Sequence, residues 1–143
     1  MTSTNTITRD EAQVRQLIAD QSKAITAKNL DQIMARYSPE AVLFDVQPPL
    51  QLKGSAAIRA MWEACMPCMP ETSGMETKDL RVIVNGDLAF AHWVFRFTGI
   101  EPSHPAVDMW MRVTAGYQKR QGEWQIVHEH CSLPFNPAAG CVG

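Results

Sequence analysis

Apolar residues recur at helical spacing near the start of the chain. Val14, Leu17, Ile18 and Ile25 fall on one stripe, with Gln21 its one polar member. Behind Thr8-Arg9-Asp10-Glu11, which fits a capping box with Thr8 as N-cap, this spacing predicts a helix of about four turns. Asn29-Leu30-Asp31-Gln32 offers a second capping box. Leu30, Ile33, Met34 and Tyr37 then predict a short second helix that ends before Ser38-Pro39. Ala41 to Asp45 reads as a strand, Pro48-Pro49 interrupts it, and Leu50-Gln51-Leu52 is a brief return. Gly54 or Ser55 opens a third helix with Ile58, Met61, Trp62 and Cys65 on one stripe, stopped by Pro67. A loop follows, from Pro67 to Gly74.

Beyond Gly74 the period drops to two. Met75 to Asn85 and Leu88 to Phe97 flank Asn85-Gly86-Asp87, and Val107 to Arg120 and Trp124 to Leu133 flank Gln121-Gly122-Glu123. Both patterns are hairpin signals. Gly99 to Ala106 is a proline-bearing loop between them, and Pro134 ends the last strand. Helices followed by a run of strands argue for an α+β fold. Three N-terminal helices pack in the concave face of a curved, mainly antiparallel sheet, which closes into a cone with a mouth. At 143 residues the chain reads as one domain, 1–143, with about 1–8 and 135–143 as loose tails.

Composition excludes more than it selects. The formal net charge is −2 and the basic residues are scattered, so neither a nucleic-acid footprint nor a membrane-surface patch is indicated. The N-terminal MTSTNTITRDE has no apolar h-region, and no apolar run approaches spanning length; a cytoplasmic protein is expected. Cys65, Cys68, Cys131 and Cys141 do not suggest a disulfide framework in that setting. Cys65-Met66-Pro67-Cys68 has the C-x-x-C spacing, but no second half completes a zinc site. Cys65 is expected in the core at a helix end, and Cys68 in the loop.

Candidate chemistry centres on Asp45, a carboxylate leaving the apolar run Ala41-Val42-Leu43-Phe44 between Tyr37 and Trp62. Desolvation among aromatics would raise its pKa and suit it to general-base work; the structural alternative is a partner for Arg112, Lys53 or the following turn. Asp108, Trp110, Arg112 and Thr114 share one strand face. If that face is concave, Arg112 is a buried cation awaiting Asp45 or an acidic ligand; if convex, Trp110 and Arg112 make a dimer surface. His128, His130 and Ser132 likewise oppose Glu129, Cys131 and Leu133. A metal on the histidines would need His92 as a third ligand, and interface histidines are the alternative. Cys131 as a nucleophile would need a base, and none is identified. Phe90, His92 and Val94 alternate with Ala91, Trp93 and Phe95, a strand apolar on both faces. A second subunit over the outer face, and so a homodimer, is expected.

Two stretches carry a family resemblance, NLDQIMARYSPEAVLFDVQPPLQLKGSAAIRAMW and GEWQIVHEHCSLPF. The chain resembles the nuclear transport factor two-like superfamily from about Glu11 to Pro134, and within it the SnoaL-like and ketosteroid-isomerase-like small proteins. Its last strand is also similar to the association domain of calcium/calmodulin-dependent protein kinase II. The resemblance implies a cystatin-like cone. It puts Asp45 on the isomerase family's catalytic base, Tyr37 and Trp62 on pocket aromatics, and the Glu129/Cys131 face inward. Gln21 stands where that family has its oxyanion-hole tyrosine, and Thr114 near its protonated aspartic acid. Both strong donors are replaced, so the implied base lacks the electrophilic half needed to stabilise a dienolate. The implied activity is that of a cofactor-independent isomerase, cyclase or (de)hydratase, with no cofactor and no metal. Asp45 would act as general base on a small apolar organic molecule, with Gln21, Tyr37, Trp62, Trp110, Arg112, Thr114, Glu129 and Cys131 as ligand contacts. A non-catalytic ligand-binding or oligomerisation module of the same fold is the alternative.

Overall fold

The computed structural model describes residues 4–72 and 74–139. Helix α1 spans Thr4–Thr26, so it begins before the predicted cap at Thr8. A β-branched residue costs a helix only tenths of a kcal/mol, and nothing at Thr8 forces a stop. Its buried stripe is Val14, Leu17, Ile18, Gln21 and Ala24. Helix α2, Leu30–Met34, starts as expected, with Asn29 Oδ1 accepting from the Gln32 N–H at 3.2 Å.

Tyr37 is not on that helix. It opens strand β1, Tyr37–Phe44, for two reasons. Pro39 disfavours helical backbone at Ser38, and the Ile126 N–H donates to Arg36 O at 2.8 Å, drawing the chain onto the sheet. Strand β2, Leu52–Lys53, pairs back on β1 and leads into helix α3, Ser55–Cys65. Gly54 caps α3 at φ +92°, where a side chain would be strained, while its N–H donates to Ala41 O at 2.7 Å. The start of α3 is thereby fastened to β1. A 3₁₀ turn, Met66–Cys68, replaces the loop expected after Pro67. A second one, Pro137–Ala139, lies in the tail.

The remaining strands are β3 (Gly74–Asn85), β4 (Leu88–Thr98), β5 (Met111–Arg120) and β6 (Glu123–Ser132). Strand β5 starts later than the alternation suggests, because Val107 and Met109 donate back to His104 and Ala106 in consecutive turns. Gln121 and Gly122, both at positive φ, make the two-residue turn that the β5–β6 hairpin twist requires. The sheet order is β2-β1-β6-β5-β4-β3. Strands β1 and β6 run parallel and every other pair antiparallel, so the sheet is mixed. Its inner face presents Ala89, Ala91, Trp93 and Phe95 from β4, Val113, Ala115 and Tyr117 from β5, and Trp124 and Ile126 from β6, all buried in one core with the helices.

One irregularity sets the chemistry of that face. Gly116 pairs with His128 but Tyr117 pairs with Ile126, so Val127 is an extra residue in β6. Such a bulge shifts the alternation by one residue. Strict alternation from Trp124 and Ile126 would turn His128 and His130 inward. With Val127 inserted, Glu129 goes inward instead and is buried, while His130 is exposed on the outer face.

Among the described residues no helix is long and apolar enough to cross a membrane. Helix α1 is pinned to β5 by charge as well as by apolar contact. Asp10, nearly fully buried, accepts from Lys119 Nζ at 2.9 Å, and the same ammonium lies 5.8 Å from the Trp124 ring centroid. Asp10→Ala leaves a partly buried ammonium without its carboxylate and should cost about 1–3 kcal/mol. In urea unfolding the expected result is a lower midpoint with an unchanged denaturant slope.

Candidate active site

The C-terminal ends of β1 and β6, beside β5, are where the sheet brings its titratable side chains together. Strands β1 and β6 are parallel, so their C-terminal ends lie side by side, with Leu43 beside Glu129 and Phe44 beside His130. Asp45 follows Phe44 directly, half-buried at the rim. Glu129 sits one step deeper on the inner face, opposite Ala115 of β5.

A buried carboxyl needs a partner, and Tyr37 supplies it: its hydroxyl donates to Glu129 Oε1. Gln21 of α1 then donates from Nε2 to Tyr37 Oη at 3.1 Å. A helix and two strands are thus joined by one buried hydrogen-bonded chain, Gln21 to Tyr37 to Glu129. Trp62 reaches in from α3; its indole N–H lies toward the Tyr37 hydroxyl, favouring the ionised phenol, but stops short of a formed hydrogen bond.

Burial sets the protonation states. It pushes the Glu129 carboxyl up to about 7; the Tyr37 bond opposes this rise and the nearby Asp45 charge adds to it. Tyr37 is raised well above the usual phenol value, first by burial and then by the Glu129 charge. Cys131 is pushed up to about 12 by burial, then by Asp45 and Glu129, which keeps it a thiol rather than a nucleophile. Cys65, at the end of α3, is raised by partial burial and by Asp45. The Asp45 charge thus reaches Glu129, Cys131 and Cys65 alike. Among the described residues no group of three or more His, Cys, Asp or Glu is arranged to hold a metal ion.

The structure brings Asp45, Gln21, Tyr37, Trp62, Glu129 and Cys131 together. It keeps Trp110, Arg112 and Thr114 apart from them, which corrects their expected place in the pocket. Arg112 and Thr114 are exposed on the outer face, where Arg112 Nε donates to Ser132 Oγ at 3.1 Å and Thr114 lies between His92 and His130 in adjacent strands. Trp110 precedes β5 and stacks under Lys78 and Arg96, 4.7 and 4.9 Å from its ring centroid. The reason is the pleat. Val113, Ala115 and Tyr117 are the apolar set of β5 and take the inside, so the residues between them face out. Arg112 is thus no partner for Asp45. Apart from these residues, a polar surface groove of about 520 Å³ runs along Pro39, Glu40, Arg120, Gln121, Glu123 and Gln125, beside the β5–β6 turn.

The model of the SnoaL-like domain matches residues 14–136. The chain belongs to the SnoaL-like domain family. An NTF2-like protein of unknown function from Pseudomonas putida is 37% identical, with a TM-score of 0.82 over 94% of this chain and 93% of that one. Two more distant structures share the fold. A proposed ketosteroid isomerase from Parabacteroides distasonis is 14% identical, with a TM-score of 0.67 over 85% of this chain and 86% of its own. A proposed calcium/calmodulin-dependent protein kinase type II association domain from Thiobacillus denitrificans is 20% identical, with a TM-score of 0.69 over 83% and 93%. Among curated proteins none matches the chain.

Tyr117 is the residue of this SnoaL-like site that sequence reasoning passed over. It is buried, its hydroxyl has no partner among the described residues, and burial, with the Glu129 charge adding to it, raises its pKa well above the usual phenol value. The available signal was a tyrosine alternating with Val113 and Ala115 on an otherwise apolar face.

The Glu129 shift has a thermodynamic consequence. The folded carboxyl titrates at about 7 against an ordinary 4.5, so the fold prefers its neutral form. That contribution is complete below about pH 4.5 and is lost as the pH rises through about 7, roughly 3 kcal/mol in all. Urea unfolding of wild type and Glu129→Gln across this range should show wild-type stability falling relative to the variant. Parallel curves would mean that Glu129 does not titrate there.

Proposed function

We propose that this protein is a cofactor-independent acid–base catalyst, an isomerase, cyclase or (de)hydratase, acting on a small and largely apolar organic molecule. The observation that carries this reading is a buried, high-pKa carboxyl at Glu129 within electrostatic reach of the half-buried Asp45. Two carboxyl groups in unlike surroundings divide acid and base work between them. Asp45, at the rim and engaged in no ion pair among the described residues, is the general base. Glu129, neutral for much of the time near pH 7 and oriented by Tyr37, is the acid or hydrogen-bond donor. Asp45 would remove a proton from carbon beside a carbonyl; the C–H electron pair moves to the carbonyl oxygen, and the proton returns at another carbon or assists loss of a β-hydroxyl.

The expected readout is exchange of α-protons of small cyclic ketones and enones in D₂O, followed by NMR. Wild type should accelerate exchange of at least one such compound, and Asp45→Asn should slow it by about 10²–10⁴-fold. If wild type exchanges no compound faster than Asp45→Asn does, the catalytic reading falls. The same fold would then serve as a ligand-binding or assembly module.

A second copy of the chain is proposed to cover the outer sheet face. Ile83, Leu88 and Phe90 are exposed there beside His92, and the Phe44 ring meets His128 and His130 edge-on at 4.7 and 5.4 Å. Exposed apolar side chains beside His92, Thr114 and His130, with Arg81 and Arg112 on the same face, have the composition of a self-complementary interface, which a two-fold axis closes. Light scattering should give a dimer for wild type and a monomer for Phe90→Glu. Equal masses would remove the proposal.

A further inference from the structure

The run Cys65-Met66-Pro67-Cys68-Met69 puts four sulfur-bearing residues in five positions, and the acid–base chemistry uses none of them. Cys65 ends helix α3 with right-handed helical backbone, at φ −88° and ψ −24°, and the 3₁₀ turn Met66–Cys68 follows without a break. In a 3₁₀ turn residues three apart stand over one another, so Cys65 and Cys68 share one side. The two thiols are within electrostatic reach: burial raises the Cys65 pKa most, Asp45 adds to it, and Cys68 adds further.

The turn is held in place. The Met69 N–H donates to Met66 O at 3.1 Å, and Lys28 Nζ, just past α1, donates to Met69 O at 3.4 Å. Cys65 is half-buried, with its Sγ donating to Trp62 O at 3.6 Å, whereas Cys68 is exposed. One thiol is backed by protein and the other opens to solvent, which gives a small ion a way in. Met66 packs against the core, so the thiols rather than its thioether carry the chemistry.

Distance and charge decide what the pair suits. A disulfide needs Cβ atoms about 3.5–4.5 Å apart. A rise of ~2.0 Å per residue places residues three apart roughly 6 Å from each other, so a bridge would require the turn itself to tighten. Two sulfurs on opposite sides of one ion need about twice a ~2.3 Å metal–thiolate bond, on the order of 4–5 Å, which side chains can meet by leaning inward. The carbonyl end of α3 and the Asp45 charge both favour a cation there. Among the described residues no third His, Cys, Asp or Glu completes a metal-holding group. That leaves a tetrahedral zinc set half filled. A soft monovalent ion is satisfied by two thiolates in line.

We propose that Cys65 and Cys68 form a two-thiolate site for Cu(I) at the end of α3. The ion arrives as Cu(I), both S–H protons pass to solvent, two S–Cu bonds form, and no electron is transferred. The site is independent of the acid–base reading, and either can fail alone.

The test is competition for Cu(I) between the fully reduced protein and bathocuproine disulfonate, under argon. Wild type should retain one Cu(I) per chain. Cys68→Ser should bind it at least about a hundredfold more weakly, since losing even an outer-sphere partner costs 10–100-fold. Cys68 is exposed, so this variant should melt at the wild-type temperature, which separates a lost ligand from a lost fold. Cys131→Ser and Cys141→Ser should bind as wild type does, and X-ray absorption at the copper edge should show two sulfur neighbours. Excess Zn(II) should leave the copper in place. The proposal is overturned if wild type yields its copper to the chelator as readily as Cys68→Ser does. It is equally overturned if losing Cys131 or Cys141 releases the ion, or if Zn(II) displaces it.

Discussion

A carboxyl group taken out of water is the constraint around which this structure is organised. Glu129 is buried on the inner face of the sheet. An unpartnered acid there would be costly, so the surroundings must supply a donor. Tyr37 does so from β1, and Gln21 of α1 supports Tyr37 in turn. The chain of bonds requires β1 to lie parallel beside β6 and α1 to cross the concave face with Gln21 pointing down. A local hydrogen-bond requirement thus ties together elements more than 90 residues apart in sequence. The same burial holds Glu129 near neutral titration, where a proton can be given or taken at little cost.

The bulge at Val127 decides which residues this constraint acts on. Without it, two histidines would line the cone and the carboxyl would face out. With it, the inner face gains Glu129 and Cys131, and the outer face gains His128 and His130 beside Phe44. One inserted residue separates an acid–base interior from an aromatic and histidine-bearing exterior. Strand β5 has no such choice. Val113, Ala115 and Tyr117 are needed in the core, so Arg112 and Thr114 are carried outward with them.

Stability and chemistry pull in different directions here. The helices are held by ordinary means: the Asp10–Lys119 pair, the Asn29 cap, and the Gly54 amide fastened to Ala41. The site is held less economically. An acid is raised toward 7 and a thiol toward 12, and the Tyr117 hydroxyl beside them is buried without a hydrogen-bond partner among the described residues. Departures from a fully satisfied core tend to gather where a protein works, and these gather around Glu129.

The α+β order, all three helices and both hairpins could be read from periodicity, because each depends on neighbours a few residues away. Asp45 at the end of an apolar run between aromatics was visible for the same reason, as was Gln21 on its stripe. Three things were not. Tyr37 had the spacing of a helix and became a strand, because Pro39 and the Arg36 carbonyl's bond to Ile126 outweighed local pattern. Arg112 and Thr114 shared a face with Trp110, but only the packed sheet showed that face to be the outer one. Tyr117 was one apolar-face residue among several until the fold set it beside Glu129. In each case the deciding partner lay on another element. Local spacing determines which face a residue shares with its neighbours; only tertiary pairing, here shifted by a bulge, decides which face is inside.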